Sequence, residues 1–143
     1  MNKIVWATDG STCATAAGKT VMKLLDAFPE STVTALYVIH PQYVGTGMGI
    51  VPEVADAGFE AVAKGLAQAI DEQFEAYQGR VQFVSEYGSP AIVICEFAAK
   101  EDADLIVLGS HGYGVVDRLL LGSVSSGVVH RSPISTLVVK ERG

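Results

Sequence analysis

The sequence has few charged residues and few cysteines. Charged residues make up 18% of the 143 residues, and ten basic residues against sixteen acidic ones give a formal net charge of −6. Because this balance provides no overall field that attracts DNA, RNA or anionic lipid, we expect neither a nucleic-acid nor a membrane partner.

The two cysteines, Cys13 and Cys95, are far apart in predicted helices, which fits neither a disulfide framework nor a zinc site. Both are interpreted as small apolar core residues.

The sequence also lacks an apolar run long enough to span a membrane, although 49% of its residues are hydrophobic. It starts with a strand-like run from Met1 to Trp6 instead of the basic and apolar regions of a signal peptide. We therefore expect a soluble, cytoplasmic protein with one domain over residues 1–143.

Five short runs of β-branched and apolar residues predict strands, and the segments between them have the apolar spacing of helices. Three of the runs are almost continuously apolar, as is typical of parallel strands covered by helices on both faces. The resulting order, βαβαβαβαβ, predicts an α/β fold with a single doubly wound domain. The predicted strands are 3–8, 32–39, 80–87, 104–109 and 135–140, and the predicted helices are 13–28, 53–77, 89–100 and 122 or 123 to 130.

One connection, from His40 to Pro52, is longer than most loops of this kind and contains Gly45, Gly47 and Gly49. It is either a surface loop or a lid or pocket wall, and the sequence leaves both readings open.

The segment from Gly109 to Ser125 carries the chemistry. In a doubly wound sheet, ligands bind beyond the carboxyl ends of the strands, where this segment follows the fourth strand. Its glycines would let backbone N–H groups approach a phosphate, and its serines would add donors at a helix start. Arg118 is the one cation in the loop, and it pairs with either a phosphate or Asp117. In the purely structural alternative, Gly109 ends a strand, Gly112 and Gly114 form a turn, and Ser123 is an N-cap.

Other polar residues near the predicted site have two interpretations each. Asp9 either contacts the ligand or caps the first helix. His111 could serve as an acid or base, but a turn or solvent-facing role is favoured because no second catalytic group accompanies it. His40 ends the second strand near the same edge, where it either approaches the ligand or is a plain strand-end residue, and the second interpretation is favoured. His130 ends the last helix, where a cation would suit the dipole.

The pattern Gly-x-x-Gly, nine residues, then Gly-Ser, Val124 and a small hydroxyl residue resembles the ATP-binding signature of the universal stress protein family. The resemblance covers the whole chain. It implies a five-stranded parallel sheet in the order 3-2-1-4-5 with four helices, and usually a homodimer.

The resemblance also implies roles for individual residues. The adenine pocket would be lined by Ala7 and Val38, the nucleoside contacted by Asp9, and the ribose bordered by Leu108 and Gly109. The chain departs from the family pattern at Ala7, which is Pro in some members, and at Ser135-Thr136, which replaces Pro-Val. The implied phosphate contacts are Gly112, Gly122, Ser123, Val124 and Ser125.

The last strand would lie at a sheet edge in the implied order. Its apolar residues Leu137, Val138 and Val139 would then form an unpaired edge, which predicts a homodimer through this strand.

The predicted function is a regulatory or stress-response module that binds ATP, ADP or AMP, with Mg²⁺ accompanying the phosphates. Hydrolysis should be slow at most, because no Walker lysine and no obvious water-positioning base are present. Two alternatives stay open: a nucleotide-independent dimeric interaction protein, and a nucleotide hydrolase or adenylyl transferase on a similar scaffold.

Overall fold

The structure, a computed structural model, describes residues 1–40, 52–111 and 122–141, and side chains in the second range from residue 58 onward. Strands and helices alternate along these residues. The strands are β1 (Lys3–Ala7), β2 (Thr32–Ile39), β3 (Val81–Tyr87), β4 (Leu105–Gly109) and β5 (Thr136–Val139). The α-helices are α1 (Thr12–Ala27), α2 (Pro52–Gln73), α3 (Pro90–Lys100) and α4 (Ser123–Arg131).

The five strands of the described residues form one parallel sheet in the order β3-β2-β1-β4-β5. In the centre of the sheet, Ile4 of β1 lies beside Val33 of β2 and Leu105 of β4. The predicted α/β fold, its strand order and its four helices are confirmed. From β1 the chain continues to β2 on one side of the sheet, and from β4 it continues to β5 on the other side. The carboxyl ends of β1 and β4 therefore flank the point where the strand order reverses.

The sheet separates two hydrophobic cores. Side chains alternate across a strand, so Ile4 and Trp6 of β1 pack under α1 and α2, whereas Val5 packs under α3 and α4. Trp6 is 1% exposed, and its ring lies 5.4 Å from that of Phe74. The nearly continuous apolar strands are thus explained by burial on both faces.

The second predicted helix extended to Tyr77, but α2 ends at Gln73 and a 3₁₀ turn follows over Glu75–Tyr77. The amide of Tyr77 donates to the carbonyl of Phe74, an i to i−3 bond that tightens the chain at this point. Phe74 points into the core next to Trp6, which continues the apolar stripe beyond the end of the α-helix.

The two cysteines are free and only partly buried. Cys95 packs against the core under α3, and burial raises the pKa of its thiol. Cys13 belongs to neither core, and its Sγ lies 3.6 Å from Oε2 of Glu141. The interpretation of both cysteines as core residues is therefore wrong for Cys13, because its position in the first turn of α1 faces the chain that follows β5.

Candidate ligand cavity

A cavity of about 670 Å³ opens at the carboxyl ends of β1, β2 and β4. Its volume lies within the range of roughly 300–1,000 Å³ typical of small-molecule sites. The walls come from the ends of these strands and from α1, α2, α3 and α4. The lining residues are Ala7, Thr8, Asp9, Ala14, Leu36, Tyr37, Val38, Ile39, His40, Phe59, Val62, Pro90, Ile94, Leu108, Gly109, His111, Gly122, Ser123, Val124 and Ser125.

The structure brings the described members of the predicted site together. All of them line this one cavity, although they come from four separate parts of the sequence: Ala7, Asp9, Val38, Leu108, Gly109, Gly122, Ser123, Val124 and Ser125. The remaining predicted contact, Gly112, lies outside the described residues, as do Gly114, Asp117 and Arg118. The three glycines of the long connection after His40 also lie outside them.

Asp9 does not cap the first helix. The N-cap of α1 is Ser11, whose hydroxyl accepts a hydrogen bond from the amide of Ala14. Oδ1 of Asp9 instead accepts from the amide of Ser11 and holds the turn before the helix. The capping alternative is therefore wrong, and the exposed carboxylate of Asp9 stands at the edge of the cavity.

The start of α4 is open towards the cavity. Gly122 is the N-cap, so the interpretation of Ser123 as the N-cap is wrong, and no side chain of the described residues caps this helix. The first amides of an α-helix have no partner within the helix and form the positive end of its dipole. Since Ser123, Val124 and Ser125 all line the cavity, this end of α4 is a suitable anion site.

The hydroxyl of Ser125 is already engaged by the protein. Ser125 is 2% exposed, and its Oγ lies 2.8 Å from the carbonyl oxygen of Ser110 and 3.1 Å from that of Gly122. The amide of Gly122 also donates to Ser110, at 2.7 Å. These bonds fix the start of α4 to the end of β4. Ser125 would therefore offer a ligand its backbone amide rather than its hydroxyl proton.

Two of the predicted glycines serve close packing within the protein. A Cβ on Gly109 would lie 2.8–2.9 Å from backbone atoms of Cys13 in α1. A Cβ on Gly122 would lie 3.2 Å from the carbonyl oxygen of Ser110. The absence of a side chain at Gly109 is thus required by the approach of a helix, independently of any ligand.

His111 is not solvent-facing, and that part of its interpretation is wrong. The residue is 8% exposed, and its Nδ1 lies 3.1 Å from Oγ of Ser110. It is buried because it follows β4 directly and meets the start of α4.

An apolar wall of the cavity was not recognised in the sequence. Phe59 and Val62 from α2 and Ile94 from α3 lie opposite the strand ends. Val62 is 54% exposed, which is unusual for the inner stripe of a helix. The apolar spacing of a predicted helix contains no signal that separates a core residue from a cavity wall.

Charged groups are rare at the cavity. Among its described lining residues Asp9 is the one carboxylate, and none is Lys or Arg. The described part of the chain contains no cluster of three or more His, Cys, Asp or Glu that could hold a metal ion. Backbone amides are therefore the main source of positive potential in the described part of the cavity.

The described part of the chain also contains no helix long and apolar enough to cross a membrane.

The fold and the cavity define a doubly wound α/β protein with a ligand site at the carboxyl ends of its central strands. Residues 1–140 match the model of the universal stress protein family. The chain belongs to this family. A universal stress protein of Methanocaldococcus jannaschii is 33% identical over 145 residues, which cover 97% of this chain and 82% of that protein. A putative universal stress protein of Staphylococcus saprophyticus is 36% identical over 62% of this chain and 56% of its own length.

Solved structures agree with this assignment. The hypothetical protein MJ0577 superimposes with a TM-score of 0.86 and 30% identity, over 99% of this chain and 97% of its own. A universal stress protein in complex with cAMP has a TM-score of 0.68 and 22% identity, over 97% and 96% of the two chains. An Arabidopsis thaliana member with AMP bound has a TM-score of 0.68 and 18% identity, over 100% and 94%. The last two similarities establish the shared fold.

Proposed function

We propose that this chain binds an adenine nucleotide, foremost ATP, in the cavity at the carboxyl ends of β1, β2 and β4. The observation that carries the proposal is the start of α4, which has no side-chain cap among the described residues and lines a cavity of about 670 Å³ beside an apolar wall. An adenosine moiety needs apolar walls and its phosphates need donors, and this cavity offers both. Two proteins of the same fold bind AMP and cAMP, which supports the choice of an adenine nucleotide.

The cavity has a distinct place for each part of the nucleotide. Ala7 and Val38 are partly buried at the ends of β1 and β2 and would contact the adenine. Asp9 would accept a hydrogen bond from the nucleoside, and Leu108 and Gly109 would border the ribose. The first-turn amides of α4 would bind the phosphates. Gly112 would add to the phosphate contacts from its position in the sequence.

Mg²⁺ would be bound mainly by the phosphates of ATP and not by a metal site of the protein. Asp9 is the one carboxylate among the described lining residues, and Mg²⁺ commonly combines one or two carboxylates with substrate phosphates and water. The sequence contains no Walker lysine and no obvious water-positioning base, which fast phosphoryl transfer usually needs. We therefore expect slow hydrolysis at most, and a regulatory role in which nucleotide occupancy alters the shape or partners of the protein in the cytoplasm.

Calorimetric titration with ATP, ADP, AMP and GTP tests the proposal. We expect the adenine nucleotides to bind and GTP to bind more weakly. Absence of binding by all adenine nucleotides would overturn the proposal and favour the nucleotide-independent interaction protein. Phosphate or pyrophosphate release at typical enzymatic rates, which are about 1–10³ per second, would instead favour the hydrolase or transferase.

Gly122→Val tests the phosphate end. The Cβ would already lie 3.2 Å from the carbonyl oxygen of Ser110, so branched methyl groups would crowd the first turn of α4. We expect the variant to remain folded by circular dichroism and to lose measurable ATP binding. Gly65→Val is the matched control, because a Cβ on Gly65 of α2 meets nothing within 4 Å. Unchanged ATP affinity in Gly122→Val would remove α4 from the phosphate site.

The homodimer through β5 is part of the same proposal. In the sheet, β5 pairs with β4 alone, and Leu137, Val138 and Val139 are at least partly exposed. The other edge strand, β3, carries the exposed polar residues Gln82 and Glu86, which protect a sheet edge from association. The apolar edge is therefore the one expected to meet a second copy.

Light scattering at micromolar concentration tests the dimer. We expect a dimeric mass for the wild type and for Gln82→Lys, and a monomeric mass for Leu137→Lys. The two variants add the same charge to opposite edges of the sheet. A monomeric wild type, or a dimer lost only in Gln82→Lys, would contradict the proposal.

A further inference from the structure

His111 is a buried polar residue whose side chain the proposed nucleotide contacts do not use. It follows Gly109 and Ser110 directly at the end of β4, and it is one of the residues that line the cavity. Only 8% of the residue is exposed. A histidine this deeply buried normally satisfies both ring nitrogens.

One ring nitrogen of His111 has a partner and the other has none. Nδ1 lies 3.1 Å from Oγ of Ser110, whereas Nε2 is buried without a hydrogen-bond partner. Among the described residues, this is the one buried side-chain nitrogen or oxygen in that condition. A buried polar group without a partner is unfavourable, so a ligand that supplies one gains binding free energy at this position.

The direction of the bond to Ser110 decides which ring nitrogen of His111 carries the proton. Ser110 is 3% exposed, and within the described residues its Oγ has no other hydrogen-bond partner than Nδ1 of His111. Either group could donate in this pair, and we take the hydroxyl of Ser110 as the donor and Nδ1 as the acceptor, because Nδ1 is the partner of this hydroxyl within the described residues. In the neutral ring the remaining proton is then on Nε2, and the group without a partner is a donor.

The surroundings of His111 indicate the kind of acceptor. The carbonyl of Ser110 accepts from the amide of Gly122 and the hydroxyl of Ser125, which holds His111 against the start of α4. A Cβ on Gly122 would lie 3.4 Å from Cα of His111. An Nε2 donor at this place adds to the first-turn amides of α4, so it suits a negatively charged oxygen.

We propose that Nε2–H of His111 donates a hydrogen bond to a phosphate oxygen of the bound nucleotide, with Ser110 fixing the tautomer that makes this possible. The inference rests on the proposed nucleotide site and deepens it, because it gives the phosphate end a side-chain donor. His111 is a binding residue in this proposal, and Ser110 is a positioning residue.

Substitutions of His111 test the donor. We expect His111→Ala to weaken ATP binding about 10- to 100-fold, as for loss of a hydrogen bond to a charged group. His111→Gln, which can place an amide N–H near the position of Nε2, should recover part of the loss. The affinity for adenosine, which has no phosphate, should change little in either variant. His130→Ala is the matched control, since His130 is exposed in the last turn of α4.

The outcomes separate this inference from the proposed function. If the wild type binds no adenine nucleotide, both fail. If the wild type binds ATP and His111→Ala binds it equally well, the donor role fails and the nucleotide site stands. An equal loss for ATP and adenosine would also overturn the phosphate contact, because it would place His111 elsewhere in the site.

Nuclear magnetic resonance of the wild type gives a second readout that does not depend on the folding of a variant. Long-range proton–nitrogen correlations of a ¹⁵N-labelled sample distinguish the two neutral tautomers. We expect the Nε2–H form of His111 before ATP is added, and a changed Nε2 environment afterwards, while His130 stays unchanged. A proton on Nδ1, or His111 signals that do not respond to saturating ATP, would overturn the proposal.

Discussion

Replacing Gly109 by alanine should destabilise the protein even without any ligand. The added Cβ would lie 2.8 Å from the carbonyl carbon of Cys13 and 2.9 Å from its oxygen. These are backbone atoms of the first turn of α1, so the helix itself would have to move. Overpacking costs roughly 1–3 kcal/mol, and we take the upper part of that range because no flexible side chain can yield. The reduced freedom of the unfolded chain offsets about 0.4–1 kcal/mol, which leaves a net loss of about 2 kcal/mol.

Urea unfolding measures this loss. Trp6 is the single tryptophan of the chain and is 1% exposed in the core, so its fluorescence reports unfolding. For a slope of about 2 kcal/mol per molar urea, the midpoint should fall by about 1 M. Gly65→Ala is the control: its Cβ meets nothing within 4 Å, and the change should stabilise α2 by about 0.5–1 kcal/mol. A midpoint for Gly109→Ala equal to that of the wild type would refute the packing argument.

Two further predictions concern side chains that tie the elements together. Arg80 donates to three backbone carbonyls at and after the end of α1, so Arg80→Met should lower the free energy of unfolding by about 2 kcal/mol; an unchanged thermal midpoint would contradict this. Hydrogen bonds from the amides of Lys3 and Asn2 lower the pKa of the Asp104 carboxyl. The stability that the ionised Asp104 carboxylate adds is complete above the pKa of this group in the unfolded state, and it is lost as pH falls through the pKa in the folded state. The stability gap between wild type and Asp104→Asn, taken from urea midpoints, should therefore shrink between about pH 6 and about pH 3, and an equal gap at both would contradict the assignment.

The fold could be predicted from the sequence because local and global signals agree. The apolar run Leu105–Leu108 is buried on both faces, as its uninterrupted pattern requires, and Pro90 begins α3 where a proline is best tolerated. The end of α2 could not be predicted. Phe74 and Tyr77 continue the helical stripe, and the choice of a 3₁₀ turn depends on packing against Trp6, which is distant in the sequence.

The candidate site was predictable for a geometric reason. Parallel strands end at one edge of the sheet, so a motif after β1 and another after β4 must meet once the strand order is known. Asp9 and Ser123 are brought to one cavity in this way, although 113 residues lie between them. Side-chain partners are different, because they depend on distances of tenths of an ångström. The sequence therefore did not reveal the burial of His111, and it offered Asp9 as a possible cap of α1 instead of Ser11.

The glycines of the site show why a motif can indicate the correct place for more than one reason. At Gly122 an added Cβ would press on a carbonyl oxygen at 3.2 Å, beside the first residues of α4, which line the cavity. At Gly109 the same atom would collide with the backbone of α1. One glycine is thus needed mainly for the open start of a helix, and the other for the packing of a helix on the sheet. Since the packing at Gly109 brings α1, and with it Asp9, to the edge of the cavity, both requirements act on the same site, and a spacing of glycines alone does not separate them.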